Sequence, residues 1–362
     1  MKSKLVIQRN EVTKNLGCIK WVLPRSFASL WMTFLFLCFP ITLHSQESFR
    51  VMFWNVENLF DTKDDPRKND NEFLPDAIRH WNYFRYRNKL KNLAKGIIAS
   101  GNEYVPDLVG LCEVENDSCL YDLTCRSPLR EADYRYVMTD SPDQRGIDVA
   151  LLYQRGSFKL LQHQSVRIPH KRLKKGPTRD ILHVVGKVVS GDTLDVFVCH
   201  MPSRSGGQGK SEPYRLMTAG ILKRTVDSVM QIRRKPHVVV MGDFNDYPTD
   251  KSMKKLSSDG HLRNLMKDKK GGTYRYRGEW GILDQFLVSE SLLKKKESIR
   301  TSSKHAQILR HDFLLEEDEK YGGNKPFRTY NGMKYLGGFS DHLPVVLDLQ
   351  ILIRDDKDYY SR

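Results

Sequence analysis

Short apolar runs, continuous or alternating with polar residues and broken by turn formers, recur along most of the chain. They predict strands at 49–55, 108–112, 134–139, 148–153, 158–167, 181–189, 194–200, 237–241, 283–288 and 343–349, most of them rich in β-branched or aromatic residues. Two segments carry apolar residues at helical spacing instead. Leu90, Leu93, Ala94, Ile97 and Ile98 share a face between 85 and 100, as do Leu216, Ala219, Leu222, Val226 and Val229 between 212 and 230. Many strands, few interleaved helices and no linker predict a single α/β domain over 46–362. Two face-to-face packed mixed, largely antiparallel β-sheets flanked by helices, a four-layer α/β sandwich, would bury such strands on both sides. The neighbouring runs 148–153 and 158–167 are expected to pair as an antiparallel hairpin. Residues 61–84 and 300–339 are long polar stretches, and loops of that length in compact domains tend to be functional or disordered.

The first 45 residues read differently. Lys2, Lys4, Arg9, Lys14, Lys20 and Arg25 face a lone Glu11, and an uncharged apolar run follows from Phe27 to about Leu43. That run is short for a membrane span, which needs roughly 20 apolar residues. A signal peptide ending near Ser45 is the expectation, giving an exported protein, periplasmic or extracellular. The alternatives are an uncleaved membrane anchor and a lipid on Cys38.

The chain carries a net charge of +15; without the six basic and one acidic residues of that segment, +10 remains. Such a balance suits nucleic acid or anionic lipid, and equally a solvated basic surface. Clusters at Lys171-Arg172-Lys174-Lys175 and Lys294-Lys295-Lys296 fit either reading. Cys112 and Cys199 lie in strand-like runs as core residues, while Cys119 and Cys125, in a loop-like stretch, could form a disulfide.

Polar residues interrupt the strands at their ends. Asn55-Val56-Glu57-Asn58, Glu113, His200, Asp243-Phe244-Asn245, Asp284 and Asp341-His342 each adjoin an apolar run. One such residue is a turn or a helix cap; six in one domain suggest a shared rim, where scaffolded sites lie. Carboxylates and amides without a thiolate set suit a hard cation such as Mg²⁺, Mn²⁺ or Ca²⁺. Added histidines supply what phosphoester hydrolysis needs.

The ordered set resembles the endonuclease/exonuclease/phosphatase superfamily, which includes pancreatic-type deoxyribonucleases, abasic-site endonucleases, sphingomyelinases and inositol-polyphosphate phosphatases. The resemblance rests on Trp54-Asn55-Val56-Glu57-Asn58, Leu111-Cys112-Glu113-Val114, Arg145-Gly146-Ile147-Asp148, Thr178-Arg179-Asp180, His200-Met201-Pro202-Ser203, Gly242-Asp243-Phe244-Asn245, Leu283-Asp284-Gln285 and Ser340-Asp341-His342, in family order. It implies Glu113 as the principal metal ligand, with Asn55, Glu57 and Asp341 completing the metal site. It implies that Asp243 and Asn245 position the attacking water and the phosphate. His342 paired with Asp284, and His200 paired with Asp148, would flank the scissile phosphate as cations, and Arg179 would contact it. The implied cofactor is Mg²⁺, with Mn²⁺ as the substitute, and the implied partner is a phosphate-ester substrate, nucleic acid among them, bound by a monomer with no stable protein partner.

A rival motif fails: Gly206-Gly207-Gln208-Gly209-Lys210-Ser211 looks like a phosphate-binding loop, but the glycine required at position 204 is Arg204. An exported nuclease is the first expectation for function. A phosphatase or phosphodiesterase on lipid-linked or small soluble phosphates is the second, and a non-catalytic binding protein that kept the fold is the third. The stretch holding Phe73, Arg79, Trp81, Tyr83, Phe84, Arg85, Tyr86 and Arg87 could stack on bases or pack onto the body. The acidic run Glu316-Glu317-Asp318-Glu319 would repel a polyanion.

Overall fold

The computed structural model describes residues 46–169 and 176–353. The expected export segment and the 171–175 basic cluster lie outside these residues. Along the chain come β1 (Gln46–Leu59), α1 (Tyr83–Ala99), β2 (Leu108–Val114), α2 (Asp117–Cys125), β3 (Arg135–Met138), β4 (Asp148–Tyr153), β5 (Phe158–Val166), β6 (Ile181–Val188) and β7 (Thr193–His200). Then follow α3 (Gln208–Ile232), β8 (His237–Asp243), α4 (Lys251–Leu256), β9 (Leu262–Asn264), β10 (Tyr274–Tyr276), β11 (Glu279–Gly281), β12 (Asp284–Ser289), β13 (Ile299–Arg300) and β14 (Ala306–Ile308). β15 (Leu315–Glu317), β16 (Asn324–Pro326), β17 (Tyr330–Asn331), β18 (Lys334–Tyr335) and β19 (Val345–Leu352) complete the order.

Two large mixed sheets result, one ordered β13-β19-β1-β2-β4-β3 with β14 also on β19, the other ordered β5-β6-β7-β8-β12-β9. Residue parity along each strand sorts the apolar side chains into layers. Val51, Phe53, Leu108, Val149 and Leu151 meet Val184, Val196, Val198, Val239, Met241 and Phe286 between the sheets. The alternate residues Met52, Trp54, Val109, Leu111, Ala150 and Leu152 face outward onto Leu90, Leu93, Ala94 and Ile97 of α1 and Leu120 and Leu123 of α2. On the other side, Phe197, Cys199, Val238, Val240 and Leu287 bury Ala219, Leu222 and Val226 of α3. The four layers expected from the apolar pattern are therefore present.

The expected hairpin between 148–153 and 158–167 is not. β4 pairs with β2 and β3, β5 pairs with β6, and the chain crosses from one sheet to the other between them. β4 is buried on both faces, and its two strand neighbours occupy both its edges, whereas β5 is an edge strand exposed along most of its length. Nor does a disulfide form: Cys119 is buried and Cys125 exposed, on different sides of α2. The stretch read as a loop is a helix because Asn116 caps it, accepting from the Cys119 amide at 3.0 Å. No helix of the described residues is long and apolar enough to cross a membrane.

Gly186 on β6 gives the fold a sensitive point. A Cβ there would sit inside the packing envelope of the buried Phe158 ring on β5. Gly186→Val is expected to destabilise the protein by about 1–3 kcal/mol through overpacking. Urea unfolding checks this, and an unchanged midpoint would show that the ring has room to move.

Candidate active site

Two parallel strand pairs bring the rim together. β1 runs parallel to β2 with Asn55 beside Cys112, and β7 runs parallel to β8 with His200 beside Asp243. Parallel neighbours end on the same side, so Asn55, Glu113, His200 and Asp243 emerge on one edge of the sandwich. β12 starts opposite Asp243 with Asp284, and Asp341-His342 immediately precede β19. Leading into that strand, Ser340 donates to the Asn55 carbonyl at 2.6 Å and the Trp54 indole N–H to the His342 carbonyl at 2.9 Å.

The backbone here departs from regular strand. Glu57, Asn58, Glu113 and Asn245 all have positive φ, at 49°, 55°, 65° and 50°. Glu113 is the extra residue where the β2–β4 register shifts between Cys112 and Val114. Such bulges re-aim a side chain, and left-handed backbone at non-glycine residues concentrates at functional sites.

A cleft of about 630 Å³ is lined by Asn55, Glu113, His200, Asp243, Asn245, Asp341 and His342. The Asn55 amide donates to Asp243 Oδ2 at 3.0 Å and to Glu113 Oε1 at 3.4 Å, and the Asn58 N–H donates to Glu113 Oε2 at 3.0 Å. His200 Nε2 lies 3.8 Å from Glu113 and 3.7 Å from Asp243. Asn245 donates its backbone N–H to Asp243 Oδ1 at 2.9 Å and its amide to the Met201 carbonyl at 3.1 Å. His342 Nδ1 hydrogen-bonds Asp284 Oδ2 at 2.7 Å, and its Nε2 faces Asp243 Oδ2 at 3.9 Å.

Burial and charge set the protonation states. Burial pushes the Asp243 carboxyl up to about 7, with Asp284 adding to the rise and His342 opposing it. For His342 burial works downward, but the charges of Asp284 and Asp243 outweigh it and raise the imidazole well above its usual value. His200 moves the other way, held well below its usual value by burial and by Arg179 and Arg145. The expectation of two cationic histidines therefore divides: the surroundings favour the charged form of His342 and disfavour that of His200.

The expected His200–Asp148 pair does not form. Asp148 accepts from the Thr139 hydroxyl at 2.5 Å, the Ser141 N–H at 2.9 Å and the Ser141 hydroxyl, while His200 Nδ1 has no hydrogen-bond partner among the described residues. Asp148 sits at the start of β4 in the sheet opposite β7, and two nearby hydroxyls satisfy it first. Glu57 departs as well. Its carboxylate turns from the cleft to accept from the N–H groups of Thr329 at 2.6 Å and Tyr330 at 3.4 Å. Arg179 is buried beside the cleft, 3.2 Å from Asp143 and donating to the Met201 carbonyl at 2.7 Å. It lines an adjoining cavity that shares Arg145, Ser203 and Ser205 with the cleft.

The donor set fits a divalent cation. Glu113 and Asp243 bring two carboxylates together, and no Lys or Arg of the described residues lies at ion-pair distance from either. Carboxylate and amide oxygens are what Mg²⁺ or Mn²⁺ takes as ligands. Asp243, Asp284 and His342 also offer atoms within 4.8 Å of one another, but the 2.7 Å bond inside that group already satisfies the imidazole.

The structure adds residues that the sequence reading passed over. Tyr247, Tyr274 and Tyr276 line the cleft. The Tyr274 ring lies 4.9 Å from the His342 ring. Arg204 stacks on Tyr247 at 4.1 Å while bonded to the Asn245 carbonyl and Asp250. Tyr247 and the Tyr274–Tyr276 pair flank motifs already singled out, so adjacency to Gly242–Asn245 and Leu283–Gln285 was the available signal. By contrast, the aromatic-arginine stretch is mostly consumed in packing. Trp81 is buried, Phe73 stacks on Phe60 at 4.2 Å, and Arg79 covers Phe73 and Tyr330, leaving Tyr83 and Phe84 exposed.

Residues 50–351 match the model of the Endonuclease/Exonuclease/phosphatase family. The chain belongs to that family. It is accordingly a hydrolase acting on phosphate ester bonds, and enzymes of the family are typically dependent on a divalent metal. Solved structures share the fold at low identity. A family protein from Bacteroides thetaiotaomicron is 16% identical with a TM-score of 0.58, covering 85% of this chain and 99% of its own. A mannosyl-6-phosphatase from the same organism is 17% identical with a TM-score of 0.54, covering 83% and 99%. The human Nocturnin catalytic domain with bound sulfate is 20% identical with a TM-score of 0.52, covering 85% and 97%. No curated protein sequence matches the chain.

Proposed function

We propose that the protein is an exported, Mg²⁺-dependent nuclease that hydrolyses phosphodiesters by in-line attack of water. The cleft carries this reading: Tyr247, Tyr274 and Tyr276 wall the same space into which Glu113, Asp243 and His342 point. Aromatic faces beside a phosphate-processing centre suit a substrate whose phosphate is joined to a flat group, as in a polynucleotide. Zebrafish TDP2, a fold neighbour at 15% identity and TM-score 0.51, is known in complex with a single-stranded DNA product. The mannosyl-6-phosphatase neighbour acts on a different ester, so the fold leaves the choice to the cleft walls. Export rests on the basic and apolar pattern of residues 1–45.

In this mechanism Asp243, oriented by Asn55 and Asn245, holds the attacking water and takes its proton. Asp284 keeps His342 cationic and fixed, so its Nε2–H meets a phosphoryl oxygen and stabilises the charge that grows there. As the new P–O bond forms, the opposite ester P–O bond breaks and the leaving alkoxide takes a proton from solvent water, to which Asp243 returns the proton it removed. His200 hydrogen-bonds the phosphate. Glu113, with Asn55 and Asp341, would hold the divalent ion, which when bound would polarise the phosphoryl group.

The test is a substrate panel of plasmid DNA, RNA, sphingomyelin, mannose 6-phosphate and bis-nitrophenyl phosphate, each with Mg²⁺ and with a chelator, beside Asp243→Ala. Metal-dependent cutting of nucleic acid that the variant lacks is the expected result; turnover of the sugar or lipid ester alone would overturn the nuclease assignment. Within that outcome, Tyr276→Ala is expected to raise KM for single-stranded DNA about tenfold, since one stacked base contributes about 1–3 kcal/mol. The chromogenic diester should be little affected, and an equal loss on both substrates would count against stacking.

A further inference from the structure

The stretch between β14 and β19 places one cation against the edge of the cleft. Arg328 lies 2.9 Å from Asp341 through Nη2 and 3.4 Å from Glu57 through Nε. Below them Lys89 of α1 is fully buried and donates to Thr329 Oγ1 and the Phe339 carbonyl at 2.5 and 2.6 Å, close enough to feel both carboxylates. Arg328, with Lys89 beneath it, therefore faces Glu57 and Asp341, both of which the family resemblance had given to the metal. Glu113 differs. Among the described residues it accepts from Asn55 and Asn58 and meets His200, and no guanidinium or ammonium pairs with it.

We propose that Arg328 is a positioning residue that holds the site to a single divalent ion at Glu113, by standing as a permanent cation where a second ion would otherwise bind Asp341 and Glu57. Like charges a few ångströms apart repel strongly in a half-buried setting, and carboxylates already neutralised by guanidinium offer a dication little attraction. Asp341 lines the cleft on one side and is held by Arg328 on the other, so its orientation toward the ion at Glu113 is set without its becoming free to recruit another. The proposal rests on the metal-dependent reading above.

The experiment counts bound Mn²⁺ on the full-length protein by isothermal titration and by electron paramagnetic resonance, in the absence of substrate. Wild type is expected to bind one ion, Glu113→Gln none, Arg328→Lys one, and Arg328→Gln two, with spin–spin broadening between them. The second ion should disappear in Arg328→Gln/Asp341→Asn. Two ions on wild type, or one ion on an Arg328→Gln protein that unfolds like wild type, overturns the proposal. Should Arg328→Gln fail to fold, Arg328→Met keeps the packing of the side-chain stem and both carboxylates while removing the charge; it is expected to bind two ions, and a count of one would overturn the proposal. No ion on wild type would defeat the metal-dependent reading itself and leave Arg328 with nothing to exclude.

Discussion

Asp243→Asn is expected to lower kcat roughly 10³-fold while leaving the protein folded. The substitution keeps the shape and the hydrogen bond to the Asn245 N–H but removes the base that takes the proton from the attacking water. KM should change little, because His342 and His200 still line the cleft that takes the phosphate. A variant with more than a tenth of wild-type kcat would take Asp243 out of the chemistry.

The same carboxyl has a thermodynamic signature. Its folded pKa is pushed up to about 7, while in the unfolded chain it titrates near the ordinary value of about 4. Between those values the folded state binds more protons than the unfolded state, so this group's contribution is present below about pH 4 and is lost as pH rises through about 7. With chelator present, wild-type stability should decline from pH 5 to 8 more steeply than that of Asp243→Asn. Urea unfolding across that range measures both slopes, and equal slopes would remove the burial of Asp243 from the account.

Trp54→Ala is expected to destabilise the protein by about 3–5 kcal/mol, the usual range for deleting a large buried aromatic. The indole is fully buried between the β1 sheet and α1, and a Cβ on Gly96 would come within 2.5 Å of its ring, so the ring abuts the helix backbone where only glycine leaves room. Its N–H also holds the His342 carbonyl at 2.9 Å, tying the core to the catalytic histidine. Trp54→Phe separates the two roles. It keeps most of the apolar contact but leaves a buried carbonyl unpartnered, at a cost of about 1–3 kcal/mol. Urea unfolding and kcat on both variants give the check; full activity in Trp54→Phe would show that the hydrogen bond does not position His342.

Much of this was legible along the chain because it depends on local pattern. Short apolar runs marked ten of the strands and helical spacing marked two helices, since a strand between two packed layers must be apolar on both faces. The polar residues at strand ends stood out for the same reason: Glu113, His200 and Asp243 interrupt otherwise apolar runs, and only a rim tolerates them. α2 was missed because it is short and its signal is the cap at Asn116 rather than a periodic face.

Other features were decided only by tertiary structure, because each depends on which distant group reaches a side chain first. Asp148 bonds Thr139 and Ser141 instead of His200, a competition between neighbours that spacing does not reveal. Glu57 belongs to Thr329, Tyr330 and Arg328, 271 or more positions away, so a motif residue that reads as a ligand becomes an anchor for the late insertion. Trp81 and Phe73 fit either a stacking platform or packing onto the body in the sequence, and the folded domain decides for packing. The residues able to do chemistry were visible in the sequence by itself. Their protonation and pairing followed from burial and from charges contributed by other parts of the chain, which exist only once the two sheets have closed on each other.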